Sequence, residues 1–239
     1  MYLELMEFLY NVMEELSKAG VPIVFKGAMV LNLAVRDNNP SKVERATRDI
    51  DGDWVGEGPT MEEMEKALQG AVKKVDSSLN VQTSRIFGER KSAGFIIINE
   101  NGEKIASIDL SVRQNQFCEP YISYVNGISI NGASLSKMLS DKIYAISGEN
   151  VCRRMKDVLD VYIISFITEI DVDELYQIWK DTDRELGDFK AYRAQFVELK
   201  EAYEKMKGVK NKPNFHDVYE KVNDIVCKFE EHKEIDICN

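Results

Sequence analysis

Apolar and polar positions alternate with two different periods along this chain, and the period changes partway through. From Tyr2 to Lys18, Leu3, Met6, Leu9, Tyr10 and Met13 fall three and four residues apart. That spacing predicts an amphipathic helix, closed by Ala19-Gly20. Val21-Pro22-Ile23-Val24-Phe25 reads as a short apolar strand, Lys26-Gly27 breaks it, and Ala28 to Val35 resumes helical spacing. A strand therefore passes through glycine straight into a helix. Arg36 to Arg45 is a polar loop around Asn38-Asn39-Pro40. In Thr47-Arg48-Asp49-Ile50-Asp51-Gly52-Asp53-Trp54-Val55, period two places Asp49, Asp51 and Asp53 on one face of a strand. Gly56, Gly58 and Pro59 end it, and Thr60 with Glu63 makes a capping box for a helix to about Val75. Val81 to Phe87 and Gly94 to Ile98 read as strands, with Asn101-Gly102 as a hairpin turn into Lys104 to Val112. In that return strand Ala106, Ile108, Leu110 and Val112 face one way, and Ile105, Ser107, Asp109 and Ser111 the other. Asn126-Gly127 marks a second hairpin.

From Ser134 the strand signals stop. Helical spacing predicts Ser134–Ser147, Asn150–Thr168, Val172–Asp181, Arg184–Lys207 and Phe215–Glu231. The expected class is α+β, with a mixed α/β part over residues 1–132 and an all-helical part over 133–239.

Composition narrows the function classes. Apolar residues make up 44% of 239, enough to bury a core, and the charges are interspersed, which excludes whole-chain disorder. The net charge of −10 argues against a general nucleic-acid coat, because the phosphate backbone would repel the mean field. A local basic patch or a metal could still hold one RNA end or a nucleotide. No apolar run reaches the roughly 18 residues of a membrane span. The acidic N-terminal helix lacks the basic start of a signal peptide. Cys118, Cys152, Cys227 and Cys238 stand far apart without a C-x-x-C pair. Zinc ligation thus has little support, and reduced thiols in the cytoplasm are the expectation.

The aspartates carry the candidate chemistry. Residues two apart on a strand lie roughly 6.6 Å apart and project to one side. Carboxylates so placed repel one another unless a cation sits between them, and all-oxygen ligands suit Mg²⁺ or Mn²⁺. Asp109, on the polar face of an otherwise apolar strand, is the candidate third ligand of a two-metal clamp. The same acids also suit a solvated strand edge or a turn. A calcium loop fits less well, because Trp54 stands at the required glycine and Thr60 at the required glutamate. The Lys26-Gly27-Ala28 joint offers unpaired amides at a helix N-terminus, a place for phosphate, although a plain tight turn reads the same way. Further on, Arg153, Lys156, Asp157 and Asp160 recur at helical spacing, and Asp160 lies in an apolar segment that calls for a paired acid.

Taken in order, these segments resemble the AbiEii/AbiGii toxin family, whose members share the DNA polymerase β-type nucleotidyltransferase fold. Lys26-Gly27-Ala28-Met29-Val30-Leu31 resembles the family's K-G-G-[ST]-x-L, and Thr47-Arg48-Asp49-Ile50-Asp51 its D-[IL]-D. Asp109 in Ile108-Asp109-Leu110 matches the third acid. Lys142-Ile143-Tyr144-Ala145-Ile146 followed by Arg153 to Asp160 resembles K-L-x-A-L with R-x-x-[KR]-D-x-x-D, and Pro213-Asn214-Phe215 resembles the lead into the last helix. Ala28 and Met29 depart from the pattern, the first replacing a glycine and the second a hydroxyl residue.

The resemblance implies a nucleotidyltransferase core over 1–132 and a helical domain over 133–239. It implies transfer of a nucleoside monophosphate from an NTP to an acceptor hydroxyl, with Asp49, Asp51 and Asp109 holding Mg²⁺ or Mn²⁺. Lys26, Gly27, Ala28 and Lys142 would bind the triphosphate, and Arg153, Lys156, Asp157 and Asp160 would order the helical domain and serve nucleotide binding. RNA, including tRNA, is the implied acceptor, and a cognate antitoxin the implied partner. An antibiotic-type small-molecule acceptor and a degenerate, non-catalytic binding module are the competing readings. Arg45, Arg48, Arg85, Arg90 and Lys91 could line an RNA patch, against the simpler reading of scattered surface charge.

Overall fold

The computed structural model describes residues 2–36, 38, 40, 42–86, 92–113 and 115–238, without the side chains of 2, 3 and 233–238. In chain order the elements are α1 (Tyr2–Lys18), β1 (Ile23–Lys26), α2 (Gly27–Val35), β2 (Glu44–Arg45), β3 (Asp49–Trp54), α3 (Met61–Val75) and β4 (Asn80–Arg85). Then come β5 (Ser92–Ile98), β6 (Lys104–Val112), β7 (Cys118–Ile122), β8 (Ser129–Ala133) and α4 (Leu135–Ile146). A 3₁₀ turn (Val151–Arg154) leads into α5 (Met155–Ile164). The chain closes with α6 (Val172–Asp181), α7 (Lys190–Ala194), α8 (Phe196–Lys205), β9 (Val209–Lys210) and α9 (Phe215–Cys238).

These elements form two compact units. The first, residues 1–34 and 46–134, holds a seven-stranded mixed sheet in the order β4-β5-β6-β3-β1-β8-β7. β3 and β6 run parallel, as do β1 and β8, and the remaining neighbours are antiparallel. Side-chain alternation separates the faces. Ile50, Ile108 and Leu110 are fully buried on one side of β3 and β6, and the aspartates take the other. α1 packs on α3 and β8, and its Tyr10 hydroxyl donates to the Met29 carbonyl at 2.8 Å, fixing α2. Buried Glu14 of α1 accepts from both the backbone and the side chain of Asn126, which anchors the β7–β8 hairpin. α3 starts at the expected capping box: Glu63 N donates to Thr60 Oγ1 at 3.2 Å and Thr60 N to Glu63 Oε2 at 2.7 Å.

The second unit, residues 35–45 and 135–239, is helical apart from the two-residue β2–β9 ladder. Trp179 of α6 lies at its centre, and its indole donates to the Ser140 carbonyl at 3.1 Å. Two of its helices differ from the pattern reading. The expected helix Asn150–Thr168 opens as a 3₁₀ turn and stops being helical at Ile164. The expected helix Arg184–Lys207 begins only at Lys190, after left-handed backbone at Asp183 (φ +52°) and Phe189 (φ +55°), and Gln195 divides it into α7 and α8. Packing drives this: the Phe189 ring is buried, and Gly187 lies so close to the Ser147 carbonyl that a Cβ would collide with it. No helix among the described residues is long and apolar enough to cross a membrane.

Candidate active site

Strand register brings the acids together. β3 and β6 pair in parallel with Asp51 opposite Asp109, Asp49 opposite Ser107 and Asp53 opposite Ser111. Residues opposite one another on neighbouring strands share a face about 4.8 Å apart, so Asp49, Asp51 and Asp109 all project from one side of the sheet. β1 adds Lys26 to that side, since it pairs with Asp51. The polar face thus carries a row running Lys26, Asp51, Asp109.

Gly27 follows Lys26 and begins α2 with φ +72°, a left-handed backbone that disfavours a side chain. A Cβ there would also collide with the Asp51 carboxylate. The glycine therefore does two things. It lets the chain turn from strand to helix, and it brings the N-terminus of α2, whose first amides have no partner within a helix, against Asp51. Ala28 and Met29 are both buried, so at this turn the backbone rather than a hydroxyl faces an incoming anion. Gly27→Ala is expected to cost about 1–2 kcal/mol of stability from the left-handed backbone alone, and to displace Asp51 as well. Thermal melting combined with Mn²⁺ titration checks both effects; a variant with wild-type melting and wild-type Mn²⁺ affinity would show that neither constraint operates.

The third aspartate of the D-x-D-x-D run has a separate task. Asp53 is buried, accepting from Lys26 Nζ at 2.5 Å and from Asn115 Nδ2 at 3.0 Å. With both oxygens engaged it acts as the clamp that holds Lys26. Asp109 is engaged too: Arg85 Nη2 donates to its Oδ1 at 2.6 Å, with both side chains about half exposed.

All-carboxylate donors on one face beside a glycine cradle fit a hard divalent cation. The side chains as placed do not converge, and among the described residues no three His, Cys, Asp or Glu stand close enough to hold a metal ion. The backbone thus supplies the arrangement, while Asp109 is turned toward Arg85.

The remaining predicted residues lie in the helical unit. Lys142 of α4 pairs with Asp157 at 2.6 Å and Asp160 at 2.9 Å. Asp160, fully buried, also receives a bidentate bond from Arg45, with Nε and Nη2 each at 2.9 Å. Burial works against charge on Lys142, but the Asp160 and Asp157 carboxylates outweigh it and hold the amine above the ordinary lysine value. Burial likewise opposes charge on Asp160, but Lys142 and Arg45 keep its carboxyl below the usual range. Arg45 and Lys142 thus meet Asp160 and Asp157, and exposed Arg154 reaches Asp157 from outside at 3.7 Å. Within this network Asp160 serves as an internal counter-ion, with no exposed surface for a nucleotide. Arg153 and Lys156 are exposed.

Sequence reasoning missed Arg45 as the partner of Asp160. An acid in an apolar segment signals that a cation must meet it, but nothing in the sequence says which one. The RNA patch is correspondingly thinner than the sequence allowed. Arg45 is buried and Arg85 is committed to Asp109; Arg48 is exposed, and Arg90 and Lys91 lie outside the described residues.

The fold recurs in solved structures. A Helicobacter pylori protein described as a proposed nucleotidyltransferase superposes with a TM-score of 0.60 at 14% identity, covering 100% of this chain and 97% of that one. JHP933 from Helicobacter pylori gives 0.58 at 15% identity, covering 98% and 95%. The nucleotidyltransferase toxin MenT4 from Mycobacterium tuberculosis H37Rv gives 0.51 at 11% identity, covering 91% and 80%. Among curated proteins none matches. The family model described as "Nucleotidyl transferase AbiEii toxin, Type IV TA system" matches residues 8–220, most of the chain. The chain belongs to the AbiEii nucleotidyltransferase toxin family.

Proposed function

We propose that this nucleotidyltransferase carries out metal-dependent transfer of a nucleoside monophosphate from an NTP to a hydroxyl of RNA, in a toxin controlled by a cognate antitoxin. The observation that carries the reading is the register of Asp51 against Asp109 beside the Gly27 turn. Phosphoryl-type transfer depends on positioning and charge neutralisation more than on covalent help from the protein. A divalent cation, when bound, neutralises triphosphate charge and eases loss of the acceptor's proton. Asp49 and Asp51 would hold both cations, and Asp109 the catalytic one. The Gly27 and Ala28 amides receive phosphate oxygens at the α2 N-terminus. Lys26, steadied by Asp53, adds a positive charge to the same face. The acceptor oxygen bonds to the α-phosphorus, the bond from that phosphorus to the pyrophosphate oxygen breaks, and the hydroxyl proton passes to Asp109.

Membership of a type IV toxin-antitoxin family supports the cognate antitoxin, and RNA is the acceptor this reading adopts. Incubation with each α-labelled NTP, Mg²⁺ or Mn²⁺, and total cellular RNA tests the reading. The expected result is label on RNA with release of pyrophosphate. Label on an antibiotic and none on RNA would replace the acceptor. An NTP-induced thermal shift without pyrophosphate release would reduce the protein to a binding module.

A further inference from the structure

The row on the polar face continues beyond Asp109. On β5 the residue opposite Asp109 is Gly94, and on β4 the residue opposite Gly94 is Arg85. A glycine inside a strand weakens it and marks a place where something approaches closely. Here the approaching groups are Ser84 and Arg85. A Cβ on Gly94 would stand 3.0 Å from Ser84 Oγ, 3.2 Å from Arg85 Cβ and 3.4 Å from Arg85 Cζ. The guanidinium thus lies across the gap left by the missing side chain, and this route takes it to Asp109 Oδ1 at 2.6 Å.

The pair has the properties of an exchangeable contact. Its side chains are 50% and 42% exposed, so water and salt screen it and it adds little to the fold. Its electrostatic role is local. Asp51 and Asp109 sit side by side and repel, and a guanidinium on the outer acid relieves that repulsion. A doubly charged ion attracts the same carboxylates more strongly than a delocalised single charge does. The Asp109 oxygen that bonds the guanidinium is then contested between the two.

We propose that Arg85 is a resident counter-ion of Asp109 that competes with the divalent cation and so sets the cation concentration the site requires. Arg85 in this role is a positioning residue that acts through Asp109. The proposal rests on the reading of Asp109 as a cation ligand, and the experiment separates the two.

Mn²⁺ alone, without nucleotide, is titrated into the full-length protein and its free fraction followed by paramagnetic resonance. Arg85→Met is expected to tighten Mn²⁺ binding about fivefold, the scale of losing one exposed ion pair and one nearby charge. Arg85→Lys, which keeps the charge, is expected to stay within about twofold of wild type. Asp109→Asn is expected to weaken Mn²⁺ binding and to abolish the gain from Arg85→Met. Wild-type affinity in Arg85→Met, alongside weakened binding in Asp109→Asn, overturns the Arg85 proposal and leaves Asp109 as a ligand. An equal gain from Arg85→Met in the Asp109→Asn background overturns it as well, since the effect is then a general field. Undiminished binding in Asp109→Asn overturns both the proposal and the ligand reading.

Discussion

Asp51→Asn is expected to lower metal-dependent NTP turnover by about 10³-fold or more, the scale at which a cation stabilises transition-state charge by several kcal/mol. The side chain lies at the centre of the polar row, between Lys26 on β1 and Asp109 on β6, and against the Gly27 turn. Asparagine keeps the shape and one oxygen, so packing against Gly27 survives while the negative charge is lost. The variant is therefore expected to melt within about 2 °C of wild type, since a partly exposed, near-isosteric change shifts stability by under about 0.5 kcal/mol. Pyrophosphate release and a thermal melt on the same preparation check the pair of outcomes. Retained turnover would remove Asp51 from the mechanism; lost turnover with a large drop in melting temperature would make the effect one of folding.

The largest expected stability effect is in the helical unit. Asp160→Ala takes the bidentate carboxylate from buried Arg45 and leaves Lys142 with Asp157 alone of its two acids. Breaking a buried ion pair from one side costs about 3–5 kcal/mol, because the cost is that of a stranded charge. Denaturant midpoints measure it, and a loss below about 1 kcal/mol would mean that water reaches the stranded cations. The pH dependence has a fixed sign. The Asp160 carboxyl is lowered in the folded state, so its contribution is present above the unfolded value of about 3.9 and disappears as pH falls through the folded one. Lys142 is raised, so its contribution is present below about 10.4 and is lost as pH rises through the folded value. The stability gap between wild type and Asp160→Ala should therefore be flat between these limits and shrink on strong acidification.

Legibility followed the range of the interactions involved. The polar face of β3 could be read because strand alternation is local and Asp49, Asp51 and Asp53 repeat at its period. The capping box at Thr60 was legible for the same reason. Register between β3 and β6 could not be read, since the two strands are separated by α3, β4 and β5 and pair in parallel. The sequence alone therefore could not place Asp109 opposite Asp51. The division of labour within D-x-D-x-D was hidden as well: Asp53 looks like its neighbours until Lys26 and Asn115 arrive from elsewhere in the chain. The late start of the helix predicted at 184–207 was illegible because Gly187 answers to a contact with Ser147, forty residues earlier. Arg45 and the β2–β9 ladder were missed because two residues are too few to show a period.

That ladder makes the chain thread its units rather than visit them in turn. After α2 the backbone leaves the sheet unit, stitches Glu44 and Arg45 to Lys210 and Val209, and returns at 46 to begin the acidic strand. A cut after residue 134 would not release a self-sufficient catalytic fragment. It would strip Arg45 of its buried anion and Glu44 and Arg45 of their strand, loosening the tether that spans the glycine turn and the first aspartate. Fragments of this protein divided after residue 134 should therefore precipitate or unravel where a beads-on-a-string enzyme would tolerate the scissors.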